Sequence, residues 1–194
     1  METFTAKTFE IPKLVGISEK NIEEHLKLYK GYVNNTNLIF NKISELKNDL
    51  EKNAYVLGEL QRRLGFEFDG MRNHEYFFAS LEGGAKPIDE SSSLYNAIKK
   101  EWGSFENFLA HFKFVATTRG IGWTILYHDK MTDKLIITFV EEHHLGQLTG
   151  LSPILALDMW EHAYVADYQP SGKKQYIEDF FTNLNWGIIE KNFN

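Results

Sequence analysis

The chain has no cysteine among its 194 residues. Disulfides, thiolate nucleophiles and thiolate metal sites are therefore excluded, and any metal must be held by His, Asp, Glu or backbone oxygen. A basic surplus is also missing. Asp and Glu total 27 against 21 Lys and Arg, a net charge of −6, so there is no overall electrostatic footprint for nucleic acid. Long apolar runs are absent as well. The opening METFTAKTFEIPKL is too polar for the apolar region of a signal peptide. No stretch approaches the ~20 apolar residues of a membrane span. These absences predict a cytoplasmic protein with no nucleic-acid or membrane partner. Internal repeats and low-complexity tracts are lacking too.

What is present is aromatic: 15 Phe, 9 Tyr and 4 Trp, enough to wall off a dry site. Hydrophobic residues at 43% and charged residues at 25% describe a globular chain. Residues 17–53 read as a helix with Ser18 as N-cap, since Ile22, Leu26, Tyr29, Val33 and Leu38 recur at helical spacing. Residues 54–82 read as a second helix, and two long helices in succession predict an antiparallel hairpin. GGAKPIDESSS, residues 83–93, gathers Gly, Pro and Ser as a linker. Short helices are expected at 92–101 and 104–114, and a β-hairpin from the runs 123–128 and 135–140. A turn-rich segment follows, then an amphipathic helix over 172–193. The expected fold class is α+β: an N-terminal antiparallel helical hairpin, then a mixed α/β domain with a small three-stranded antiparallel sheet. The expected division is 1–86 for the helical hairpin and 87–194 for the α/β domain.

A cysteine-free metal site must draw on the seven histidines. His25 has Leu26, Tyr29 and Tyr32 for neighbours, and His74 is followed by Tyr76, Phe77 and Phe78, so both point inward. On adjacent helices they can meet across the hairpin. DMWEHAY, residues 158–164, places Asp158 four residues before His162, a spacing that suits one helical face or the arms of a tight turn. The apolar SPILAL precedes Asp158, so this carboxylate is buried and needs a partner. Three imidazoles and a carboxylate suit iron, manganese or zinc. The same residues also read as a solvated helix face, with Glu161 and His162 in water and Trp160 and Tyr164 in the core. The residues alone leave both readings open.

The ordered elements ISEKNIEEH, YVNNTN, NHEYFF, GIGWTILY, DMWEHAYVADY and NLNWGIIEKNF resemble the iron/manganese superoxide dismutase family over nearly the whole chain. The resemblance implies superoxide disproportionation to dioxygen and hydrogen peroxide, with one Fe or Mn ion per subunit and a solvent molecule as fifth ligand. The metal ligands it implies are His25, His74, Asp158 and His162. Tyr32 matches the gateway tyrosine, and Trp123 and Trp160 match aromatic walls of the site. Glu161 matches a residue that reaches the partner's ligand histidine in a homodimer, and Tyr164 belongs to the same interface motif. A tetramer is the other assembly the resemblance allows.

Two departures from the family pattern stand out. The ligand-to-tyrosine stretch HLKLYKGY runs seven residues from His25 to Tyr32, one fewer than in relatives, and lacks their second histidine. Seven residues return almost to the same helical face, so a regular helix is expected here where relatives carry a bulge. The alternative register would put Glu24 at the ligand position. Second, the Gln that one branch carries four residues before the second ligand is Gly70 here. The group facing the solvent ligand is then expected from EEHH, with His143 the choice and Glu142 and His144 the register alternatives. A basic funnel is expected from Lys27, Lys30, Arg72, Lys173 and Lys174. Competing classes are a hydrolytic metalloenzyme on the same ligands and a degenerate, non-catalytic relative.

Overall fold

The computed structural model describes residues 3–193. Helix α1 spans Glu19–Leu46, and the Ser18 side chain accepts from the Asn21 N–H at its N-terminus. This satisfies one of the amide donors that a helix start leaves free. The helix stops seven residues short of the expected 53, because residues 47–53 form turns tied by Asn53 Nδ2 donating to the Leu46 carbonyl. Helix α2 spans Ala54–Ala79. His25 meets Phe78, Tyr29 meets His74, and Tyr32 meets Phe66. Rising numbers on one helix facing falling numbers on the other make the hairpin antiparallel. Helix α1 is α-helical without interruption through His25 and Tyr32, as the seven-residue spacing predicts.

Helices α3, Ser93–Trp102, and α4, Phe105–Ala116, lead into strands β1, Gly122–Asp129, β2, Lys134–Glu141, and β3, Ser152–Asp158. The sheet is three-stranded and antiparallel in the order β2-β1-β3. The third strand is the apolar SPILAL run plus Asp158. The expected single closing helix is two: α5, Lys173–Asn183, and α6, Trp186–Phe193. Leu184 between them is extended, and its carbonyl accepts from Lys86 N while Trp186 N donates to the Lys86 carbonyl. The backbone is thus spent on a bridge to residue 86 that a continuous helix would forbid.

Register decides where the site forms. Trp123 on β1 is opposite Val140 of β2 and Asp158 of β3, so the end of β3 and the turn after β2 share one end of the sheet. Gly122 lies there at φ +153 with the position of a Cβ only 2.1 Å from the Val140 carbonyl oxygen. No side chain fits between the strands at that point. One buried cluster joins both halves, including Phe77 and Phe78 of α2, Phe108 and Phe112 of α4, Trp123 of β1 and Phe180 of α5. No helix among the described residues is long and apolar enough to cross a membrane.

Candidate metal centre

Three imidazoles converge on one carboxylate oxygen. Asp158 Oδ2 lies 3.0 Å from His25 Nε2, 3.2 Å from His162 Nε2 and 3.5 Å from His74 Nε2. The four potential donor atoms fall within 4.8 Å of one another. His25 and His74 come from the facing sides of α1 and α2, and Asp158 from the last position of β3. His162 arrives by a single 3-10 turn, Glu161–Ala163, so the DxxxH spacing works as a tight turn rather than a helical face. The Trp160 N–H donates to Asp158 Oδ1 at 2.8 Å, and Tyr176 Oη donates to the Asp158 carbonyl at 2.9 Å. Both contacts aim Oδ2 at the histidines.

Protonation states suit a cation. Burial alone would raise the Asp158 pKa, but the attraction of His162 and hydrogen bonds from His162 and His25 hold it well below the usual carboxylate range. Burial holds His25 below the ordinary histidine value and His74 well below it. Asp158 is thus held as the anion and His25 and His74 as neutral imidazoles, the forms in which these side chains bind metal. His74 Nδ1 lies 2.6 Å from the Gly70 carbonyl and must donate to it, which leaves Nε2 as a bare lone pair. Among the described residues that buried Nε2 has no hydrogen-bond partner. A buried, unpaired acceptor aimed at a buried carboxylate is costly unless a cation completes the group. The residues therefore fit a borderline-to-hard metal ion.

A second layer stands over the ligands. Trp123 Nε1 donates to His143 Nδ1 at 2.9 Å, and His143 Nε2 lies 2.7 Å from Tyr32 Oη. His143 also stacks on Trp160, with ring centroids 4.8 Å apart. Of the three EEHH alternatives, the turn after β2 brings His143 to Tyr32. Glu142 takes the left-handed conformation, φ +52, and its carbonyl accepts from Trp160 Nε1 at 3.1 Å. His144 packs on Phe66 instead. Glu24 is exposed and paired with Lys27 at 2.7 Å, away from the ligands. Gly70 has no room for a longer residue, since a Cβ there would lie 2.8 Å from Tyr32 Cδ1.

The outer side of Tyr32 faces a cavity of about 330 Å³, lined also by Lys27, Arg63, Phe66, Glu67 and Trp160. The expected basic funnel is thinner than its sequence reading. Arg72 pairs with Glu75 at 2.7 Å and lies over Phe4 and Phe68, on a different face. Lys173 donates to the Thr118 carbonyl. Arg63, which the sequence reading passed over, lies over the Phe66 ring at 3.7 Å and pairs with Glu67. The spacing 66, 70, 74 on α2 was the available signal for Phe66, because it repeats every helical turn on the face of His74. Glu161 is exposed, whereas Tyr164 is buried and stacks on Tyr176 at 5.3 Å.

These protonation states carry a stability prediction. Burial lowers the His143 pKa to about 4, whereas an unfolded histidine titrates near ~6.5. The unfolded chain therefore takes up the proton first as pH falls. The stabilisation is complete above the unfolded value and is lost as pH drops toward the folded one, at most roughly 3–4 kcal/mol from His143. Denaturant midpoints of the metal-free protein should fall steadily between about pH 7 and 4.5. A flat midpoint over that window would contradict the buried neutral state.

Residues 90–192 match the family model described as iron/manganese superoxide dismutases, C-terminal domain. An iron superoxide dismutase from Tetrahymena pyriformis is 33% identical over 174 residues, covering 87% of each chain. One from Aquifex aeolicus is 32% identical over 185 residues, covering 93% of this chain and 85% of its own length. A manganese/iron superoxide dismutase from Aeropyrum pernix is 32% identical over 200 residues, covering 95% and 90%.

Proposed function

The chain belongs to the iron/manganese superoxide dismutase family, and from that membership we propose that it disproportionates superoxide to dioxygen and hydrogen peroxide. One iron or manganese ion per subunit would be held by His25, His74, Asp158 and His162. The observation that carries this reading is their convergence in a largely buried pocket behind the Tyr32–His143 pair. A bound iron or manganese ion would supply the one-electron exchange by which one superoxide is oxidised to dioxygen and a second is reduced and takes two protons.

The chain's own residues manage the protons. An indole can only donate, so His143 Nδ1 accepts from Trp123 and the neutral ring carries its proton on Nε2. That proton points at Tyr32 Oη, which leaves the phenol hydrogen free to turn to the cavity. Burial pushes the Tyr32 pKa well above its ordinary value. The phenol therefore hands on protons through hydrogen bonds and does not ionise. Trp123 and Trp160 fix the His143 ring from two sides. In a homodimer, Glu161 and the Tyr164 turn would face the partner subunit, and Glu161 is free to do so.

Dismutation assays on protein loaded separately with iron and with manganese test the reading. Activity with one or both is expected, and none with either ion fully bound would overturn it. Tyr32→Phe keeps the ring and removes the hydroxyl. Metal content should be unchanged, while turnover falls by roughly 10-fold. Unaltered turnover and product inhibition would remove Tyr32 from the proton path.

A further inference from the structure

His143 is aimed from its backbone as well as from its ring. Its carbonyl accepts two side-chain amides, Asn73 Nδ2 at 3.1 Å and Gln147 Nε2 at 3.0 Å. Gln147 Nε2 also reaches Asn73 Oδ1 at 3.3 Å, and Gln147 Oε1 accepts from Tyr127 Oη. These roles are mutually determined. Were the Gln147 amide turned over, its oxygen would face the His143 carbonyl, acceptor against acceptor. Asn73 is buried in α2, one residue before His74. Tyr127 is buried on β1. The group thus ties the turn after β2 to the helix and the sheet at once. That turn needs tying, since Glu142 at φ +52 is in a conformation that disfavours a side chain.

We propose that Gln147 is a positioning residue for the reaction. With Asn73 it clamps the His143 carbonyl, and Tyr127 orients the Gln147 amide, so that His143 Nε2 stays on Tyr32 and Nδ1 stays on the Trp123 indole. The inference rests on the dismutase reading for its catalytic consequence, but its structural part does not need it. Gln147 is only half-buried and contacts none of the four ligands through any hydrogen bond described above. Its loss should move the imidazole without emptying the centre.

The test uses Gln147→Leu, which keeps the bulk and removes the donor, and Tyr127→Phe, which removes only the hydroxyl that orients it. The first readout is the Trp123 indole N–H in the metal-free protein, assigned by its absence in Trp123→Phe. Hydrogen exchange at that proton should quicken by roughly 10-fold in Gln147→Leu and by less in Tyr127→Phe. The second readout is the loaded enzyme. Metal content should match the parent, turnover should fall by roughly 10-fold, and the midpoint potential of the ion should shift. If the parent enzyme dismutates superoxide but neither variant changes indole exchange, potential or turnover, the clamp is refuted. If indole exchange quickens while the parent shows no dismutation, the clamp stands as structure and the dismutase reading fails. Should Gln147→Leu not fold, Tyr127→Phe decides by the same readouts.

Discussion

Asp158→Asn is expected to give a folded protein that no longer retains iron or manganese. The amide has the carboxylate's shape, so it still accepts from the Trp160 N–H, and the Asp158 backbone carbonyl still accepts from Tyr176. Its new N–H2 needs an acceptor, and His25 or His162 offers one by keeping Nε2 unprotonated. For His25 the proton then sits on Nδ1, which has no partner among the described residues. One unsatisfied buried donor costs about 1–3 kcal/mol, a fraction of ordinary stability. The loss to the metal is larger. Asp158 is the only anion of the four donors, and hard cations select charged oxygen. Replacing even a group behind the ligands costs ~10–100-fold in affinity, so removal of the charged ligand should exceed ~100-fold. Metal analysis after dialysis checks this. A variant that keeps one ion per chain would show that the convergence on Oδ2 is not a ligand set.

Gly70→Ala is expected to cost turnover out of proportion to stability. An alanine in mid-helix gains about 1 kcal/mol over glycine by propensity. Here its methyl would stand 2.8 Å from Tyr32 Cδ1, 3.0 Å from Cε1 and 3.1 Å from Cγ. Overpacking of that kind costs about 1–3 kcal/mol, so the net loss should be about 0–2 kcal/mol. The ring cannot slide freely, because Oη is bonded to His143 at 2.7 Å and the ring lies against His74 and Phe66. Relief must come from swinging Tyr32 out, which breaks that bond. Turnover should then fall by at least as much as in Tyr32→Phe, with metal content unchanged. Full turnover in Gly70→Ala would mean that Tyr32 tolerates displacement, and would weaken its place in the proton path.

The two predictions differ in how their residues were found. Asp158 and His162 belong to one short motif, and a carboxylate after an apolar run demands a partner, but a solvated face was an equal reading until the family resemblance favoured ligands. His25 and His74 were legible as inward-facing positions on periodic helices. Gly70 was legible only as a departure from relatives. The reason for it, a tyrosine ring pressed against its Cα, required two helices to be brought together.

Local chemistry governs the rest of the division. Helix starts, the β-hairpin and the buried character of SPILAL follow from capping, periodicity and apolar content, which act over a few residues. So does the unbroken helix between His25 and Tyr32, since seven residues return to one face without a bulge. The break at Leu184 was not legible, because what stops the helix is a bridge to Lys86, far away in sequence. The choice of His143 over Glu142 and His144 was not decided by local pattern either. It depends on the sheet register that sets Trp123 beside Asp158, and on Asn73, Gln147 and Trp160 holding one turn from three directions. The sequence by itself determined the family, the order of most elements and the inward-facing positions of His25 and His74, because each is written in short-range pattern. Only the tertiary structure decided which donors meet and what aims them, because those contacts join distant residues, such as His25 and Asp158, 133 positions apart, and depend on register and packing.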